Sequence, residues 1–74
     1  MNNKDLFEKS VIEKLIDLNS DIIGKGSCIA WTTFPFSKKN LDTVKRSVKK
    51  LNWKKEEYYI KFDEDFIFVE KSML

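Results

Sequence analysis

Two pairs of neighbouring carboxylates, Glu56/Glu57 and Asp63/Asp65, are the residues of this sequence closest to a general acid–base site. A carboxyl group exchanges protons near neutral pH only where burial or a like charge raises its pKa. Both pairs lie at the ends of a predicted exposed hairpin, and a chain of 74 residues has room for only one modest core. The sequence therefore predicts a protein that is not an enzyme.

Lysine chemistry at a phosphate is the next candidate, in the segment Gly24-Lys25-Gly26-Ser27. The phosphate-binding loop of nucleotide-binding proteins follows a strand, contains Gly-Lys-Ser or Gly-Lys-Thr in that order, and opens a helix. Here a predicted helix precedes the segment and a predicted strand follows it. We therefore interpret the segment as the turn that ends a helix, since glycine readily adopts the backbone conformation of such a turn.

Zinc and triad chemistry are excluded by composition. The sequence has no His and a single cysteine, Cys28, so it lacks the ligands of a tetrahedral zinc site, the members of a nucleophilic triad and the second thiol of a disulfide. We expect no metal and no cofactor. A lone thiol indicates a reducing compartment, and no apolar run approaches the roughly 20 residues that cross a bilayer, so we expect a soluble cytoplasmic protein.

The elements that position these residues begin with an amphipathic helix over residues 3–20. Asn3 is its predicted N-cap, and Gly24 and Gly26 mark its end. Its apolar positions recur every three or four residues, at Phe7, Val11, Leu15, Leu18 and Ile22, widened by Ile12 and Ile16. A charge-free run of β-branched and aromatic residues over 28–34 then predicts a strand, central in its sheet and ended by Pro35.

A second helix follows, with Ser37 or Asn40 as its N-cap. Asn52 occupies the position where a left-handed residue ends a helix, and Trp53 is expected to fold back onto Val48. The helix is amphipathic, with apolar residues at Leu41, Val44, Val48 and Leu51.

The last third of the chain predicts a β-hairpin. The acidic segment Asp63-Glu64-Asp65 separates its two strands, and because this segment has no glycine we expect a loop of three or more residues. The predicted fold is α+β: a single small domain in α-β-α-β-β order, with a three-stranded sheet and two helices packed on one face. If the first strand were parallel to a hairpin strand, the crossover would be right-handed. The expected core contains Phe7, Leu15, Val44, Val48, Ile60 and Phe62.

The charge divides into blocks although the net charge is only +2. Residues 38–55 hold eight basic residues and one acid, Asp42, whereas residues 56–74 hold six acids and two lysines. Two interpretations of the basic block stay open. It is either a solvated helix face or a surface for phosphate backbones, formed by Lys38, Lys39, Lys45, Arg46, Lys49, Lys50 and Lys54. Because Arg46 is the only arginine, such binding would not depend on nucleotide sequence.

A protein partner has its own candidate residues. Phe34 and Phe36, on either side of Pro35, either close the core or form an exposed anchor. Strand alternation turns Tyr59 away from the predicted core. The acidic loop of Asp63, Glu64 and Asp65 either keeps the hairpin soluble or presents a negative patch to a basic cleft of another protein. Two roles stay open for the aromatic residues: an ordinary place in the core, or a stacking platform for single-stranded nucleic acid. These residues are Trp31, Phe34, Phe36, Trp53, Tyr58 and Tyr59.

Together these features favour a non-catalytic binding protein that occludes a macromolecular partner. In its lysine-rich composition, with Asn, Ile, Phe and Tyr common, the chain is similar to proteins of AT-rich bacterial and phage genomes. Small charged domains of this kind are often phage-encoded inhibitors of host nucleic-acid enzymes, anti-CRISPR proteins among them, and this analogy favours a nucleic-acid-handling enzyme as the protein partner, in the cytoplasm of a bacterial or phage-infected cell. Two alternatives stay open: a sequence-nonspecific nucleic-acid-binding protein that uses the lysines of the second helix, and an accessory subunit of a larger assembly.

Overall fold

Two helices and three strands alternate in the order helix, strand, helix, strand, strand in the computed structural model, which describes residues 3–25 and 29–72. The helices are α1 (Asn3–Lys25) and α2 (Lys38–Lys50), and the strands are β1 (Ile29–Pro35), β2 (Tyr58–Phe62) and β3 (Phe66–Ser72). A single 3-10 turn, Lys55–Glu57, leads into β2. The predicted α+β architecture and element order are confirmed.

The three strands form one antiparallel sheet in the order β1-β3-β2. The register of β1 and β3 pairs Ile29 with Ser72 at one end and Pro35 with Phe66 at the other. The predicted central position of the first strand is therefore wrong, and so is the parallel option. β1 is an edge strand whose apolar residues are divided between the two faces of the sheet, which is why it carries no charge. An edge also tolerates Pro35, which has no N–H to donate to a neighbouring strand.

α1 is longer than predicted. Its stripe of Val11, Leu15, Leu18 and Ile22 is buried as expected, but the helix continues through Gly24 to Lys25. A glycine inside a helix costs only about 1 kcal/mol relative to alanine, and the burial of Ile22, two residues before Gly24, outweighs this cost. Asn3 is the first residue of α1 rather than the residue before it, and Gly26, Ser27 and Cys28 lie outside the described residues.

The ends of α2 follow the predicted local signals. Ser37 is the N-cap, and its hydroxyl oxygen accepts a hydrogen bond from the Asn40 N–H at 3.0 Å. At the other end Asn52 has φ 59°, in the left-handed region. The Asn52 N–H donates to the Lys49 carbonyl, and the Trp53 N–H donates to the Val48 carbonyl at 3.4 Å. This pair of bonds is a Schellman motif, as expected from Asn52.

Both helices pack against the same face of the sheet. The buried cluster contains Val11, Leu15, Phe34, Val44, Val48, Ile67 and Val69, and the side chains packed around it include Phe7, Trp53, Tyr58 and Ile60. Phe62 is a correction to the predicted core, because its side chain is 55% exposed. It is the last residue of an edge strand, and its ring stacks on Phe36 at a centroid distance of 5.1 Å.

Candidate interaction surfaces

The face of the sheet opposite the helices carries large apolar side chains. In β3, Ile67 and Val69 point into the core, so Phe66, Phe68 and Glu70 point the other way. The register places Trp31 of β1 and Tyr59 of β2 on this same face, on either side of Glu70. We call this surface the open sheet face and define it by the side chains of Ile29, Trp31, Thr33, Tyr59, Lys61, Phe66, Phe68 and Glu70.

Four apolar or aromatic members of the open sheet face have more than half of their surface exposed. Trp31 is 62% exposed and Tyr59 is 58% exposed, and Ile29 and Phe66 are only slightly less so. Phe68 lies between the exposed residues, with its ring stacked on that of Trp31 at a centroid distance of 5.5 Å. The Lys61 ammonium lies 5.0 Å from the Phe68 ring centroid. The stacked rings of Trp31 and Phe68 form an aromatic platform, and most of the Trp31 surface stays exposed.

A groove of about 420 Å³ lies at the end of the open sheet face nearest the hairpin loop. It combines aromatic rings with one cation and one carboxylate. Its lining residues are Thr33, Lys61, Phe62, Asp63, Phe66 and Phe68. The groove therefore joins the aromatic platform to the charged loop.

That loop, Asp63-Glu64-Asp65, is called the acidic loop from here on. The Asp63 Oδ1 accepts hydrogen bonds from the N–H groups of Asp65 and Phe66, each at 2.8 Å. These two bonds, that from Phe66 foremost, hold the pKa of Asp63 below its usual value. The Phe36 N–H also donates to the Asp65 carbonyl at 3.0 Å. The Asp63 carboxylate thus holds the turn, while the side chains of Glu64 and Asp65 are exposed.

The aromatic candidates from the sequence separate into two groups. Phe34 is 2% exposed in the core, which corrects its assignment as a partner contact because its ring has no surface left to offer. Phe36 is half-buried, and Trp53 and Tyr58 form a tilted pair on the helix side, at a centroid distance of 6.2 Å. Trp31 and Tyr59 lie on the open sheet face.

Sequence reasoning missed Phe66 and Phe68. The signal was present in the alternation of Phe66-Ile67-Phe68-Val69, which puts both phenylalanines on the face opposite Ile67 and Val69.

The second candidate surface is the outward side of α2. We call it the basic face and define it by Lys38, Lys39, Lys45, Arg46, Lys49 and Lys50, all of which are exposed. Lys54 and Lys55 are exposed as well and follow the end of the helix. Because α2 packs on the core side of the sheet, the basic face and the open sheet face lie on different sides of the molecule.

Most of the basic face forms no ion pair with the described part of the chain. The Lys50 Nζ lies 2.6 Å from the Glu8 Oε1 of α1. Within residues 3–25 and 29–72, Lys50 is the one member of the basic face that forms such an ion pair. Arg46 donates instead to the Thr43 hydroxyl at 3.4 Å. The carboxylates of the hairpin leave the basic face unneutralised.

Lys71 and Glu57 form a charged pair beside Trp53. The Lys71 ammonium is buried, 5.1 Å from the Trp53 ring centroid and 3.9 Å from the Glu57 Oε2. Glu57 is thereby directed to Lys71, and Glu56 is exposed. Across the part of the chain that the structure describes, no three side chains of the metal-ligating types come together. Neither described helix has the length and apolar character needed for a bilayer crossing.

Comparison with protein-family models, with curated protein sequences and with solved structures found no match to this chain. Its function is therefore inferred from the chemistry of the two surfaces.

Proposed function

We propose that this protein is a non-catalytic binding protein that occludes a partner protein, and that the open sheet face is its docking surface. The observation that carries the proposal is the exposure of Ile29, Trp31, Tyr59 and Phe66 on one continuous sheet face. Soluble proteins rarely expose a contiguous apolar patch without using it. Tryptophan and tyrosine are also the residues most enriched where protein interfaces gain their binding energy.

The charges around the open sheet face indicate the chemistry of the partner. Glu70 lies between Trp31 and Tyr59, and Glu64 and Asp65 extend from the acidic loop at the end of the groove. Against these acids the face carries one cation, Lys61. A complementary partner surface is therefore apolar at its centre and basic at its border.

The active surface of a nucleic-acid-handling enzyme has this chemistry, because such clefts combine basic side chains with exposed aromatic rings. A domain seated there would exclude the nucleic acid by its own volume, without any chemical step. This supports the nucleic-acid-handling enzyme over other protein partners.

The same charges disfavour nucleic acid as the ligand of the open sheet face. A stacking platform for single strands needs cations beside the rings to neutralise phosphates. Here Glu70 is among the rings, and the acidic loop is at one end of them. Trp31 and Tyr59 are suitably exposed for stacking, but their electrostatic surroundings repel a phosphate backbone.

A site-specific photocrosslinking experiment tests the proposal. A photoreactive phenylalanine analogue replaces Trp31 or Tyr59, and the matched control carries it at Lys9, which is exposed on α1. Each protein is irradiated in a lysate of the cells that make it. We expect a protein adduct at positions 31 and 59, displaced by excess unmodified protein and weakened by Glu64→Lys and Asp65→Lys.

Three outcomes would contradict the proposal. The first is no adduct at either sheet position, or the same adduct in equal yield from position 9. The second is an adduct of this chain with itself, which would make the open sheet face a self-association surface. The third is an adduct with nucleic acid, which would make the face a stacking platform despite its acids.

A further inference from the structure

We infer that the basic face of α2 is a second, independent binding surface, and that it takes the phosphate backbone of a nucleic acid without regard to sequence. This inference goes beyond the proposed docking of the open sheet face, because it concerns a different side of the molecule and a different class of ligand.

Helical geometry gathers the cations of α2 into one sector. At about 100° per residue, the six members of the basic face occupy a sector of roughly 140° around the helix axis, on the side away from Val44 and Val48. Asp42 is the one acid in this sector. The buried residues of α2 are Thr43, Val44, Ser47 and Val48, so the division between the core side and the cationic side is complete.

Helix stability explains only part of this arrangement. Lys49 and Lys50 lie in the last turn, where the helix macrodipole favours cations. Lys38 and Lys39 lie in the first turn, where the dipole disfavours them, and the first turn holds no acidic residue. Two lysines are thus retained at positions where they weaken the helix. A ligand that is negative along its whole length would make use of the five cations that form no ion pair with the described residues and would compete with Glu8 for Lys50.

The dimensions and composition of the basic face match a phosphate backbone better than an acidic protein. From Lys38 to Lys49 the helix rises about 17 Å at 1.5 Å per residue, which is the length of duplex axis that carries about five phosphates of one strand, at roughly 3.4 Å each. Lysine is depleted at protein interfaces, whose centres are apolar or aromatic. The sector contains no apolar residue. A phosphate backbone requires only the charge.

Binding of labelled nucleic acid across a salt series tests the inference. Fluorescence anisotropy is measured with a duplex of about 30 base pairs and a single strand of equal length, between about 50 and 200 mM salt. We expect Lys49→Glu to weaken binding about tenfold at the lowest salt. We expect Lys45→Glu/Lys49→Glu to reduce the slope of log K against log salt by about 2. Lys45→Arg/Lys49→Arg keeps the charge and is expected to bind as the unmodified protein does.

Lys9→Glu is the matched control, because it makes the same change in net charge at an exposed position of α1. Circular dichroism verifies that each variant is folded. The inference is overturned if neither nucleic acid binds at low salt, or if Lys9→Glu weakens binding as much as Lys49→Glu. It is also overturned if polyglutamate binds more tightly than both nucleic acids, which would indicate an acidic protein ligand. Trp31→Ala is expected to retain nucleic-acid binding, so that failure of the docking proposal and failure of this inference are distinguishable.

Discussion

Trp31 and Phe34 lie three residues apart on β1 and point to opposite faces of the sheet, so that replacing each in turn tests the division of the molecule into a core and an open sheet face. Phe34 is 2% exposed, and truncation of a buried phenylalanine to alanine costs about 3–5 kcal/mol. A chain of this length is expected to have roughly 4–11 kcal/mol of total stability. Phe34→Ala is therefore expected to lose a large fraction of the free energy of unfolding, and all of it at the lower bound of that range, whereas Phe34→Leu is expected to lose less.

Trp31→Ala is expected to cost much less. Trp31 is 62% exposed, and its main contact is the stacked Phe68 ring. An aromatic pair contributes about 1 kcal/mol beyond the area it buries. With the smaller buried part of the ring included, we expect a loss of about 1–2 kcal/mol in the free energy of unfolding. Urea unfolding followed by far-ultraviolet circular dichroism measures the free energy of unfolding of the variants at both positions. This signal is suitable because it reports the backbone rather than the tryptophan that is removed.

The exposed fraction of Trp31 also determines the expected effect of Trp31→Ala on docking. About 250 Å² of tryptophan surface, of which 62% is exposed, leaves roughly 150 Å² for a partner, an upper bound of about 4 kcal/mol of binding energy. In the protein that carries the photoreactive residue at position 59, Trp31→Ala should then abolish crosslinking to the partner while the domain stays folded. If Trp31→Ala unfolds the domain as readily as Phe34→Ala, Trp31 belongs to the core and the open sheet face is not free for a partner.

Three further predictions concern local contacts. Asn52 has φ 59°, so Asn52→Ala should lower the free energy of unfolding by about 1 kcal/mol, whereas Asn52→Gly should not lower it; urea unfolding distinguishes the two. Because hydrogen bonds lower the pKa of Asp63 in the folded chain, its contribution to stability is full above the unfolded pKa of about 3.9 and is lost as the pH falls through the lower folded value. Asp63→Asn should remove this part of the acid dependence, measured by urea unfolding between about pH 5 and pH 2; an unchanged profile would contradict it. Lys71→Met keeps the aliphatic stem but removes the ammonium over Trp53, and thermal unfolding should report a loss of about 1 kcal/mol.

The parts of the fold that the sequence predicted well depend on local chemistry. Ser37 and Asn52 mark the ends of α2 through side-chain and backbone preferences that act within a few residues. The hairpin loop of three residues followed in the same way from three acids without a glycine. Such signals persist whatever the rest of the chain does.

The errors arose where tertiary packing decides. A charge-free strand is typical both of a central strand and of an edge strand with an exposed apolar face, and only the position of β3 between β1 and β2 distinguishes the two. For the same reason the sequence leaves two roles open for Phe34, closure of the core or contact with a partner, and the structure places it in the core. Gly24 and Gly26 correctly indicated where α1 ends, at Lys25, but the expected bound at residue 20 was too early because the buried stripe continues to Ile22. The basic face was predictable because helical periodicity alone separates Lys45 and Lys49 from Val44 and Val48.

The central position of β3 also has a consequence for the order of folding. β3 pairs on one side with β2 across a three-residue loop, and on the other side with β1, which precedes the whole of α2. Joining β2 to β3 closes a short loop, whereas joining β1 to β3 closes a long one at a larger cost in chain entropy. We therefore expect the hairpin to form before β1 attaches to it. A ligand seated across Trp31 and Phe68 would clamp β1 to its neighbour and slow hydrogen exchange at the seam between them.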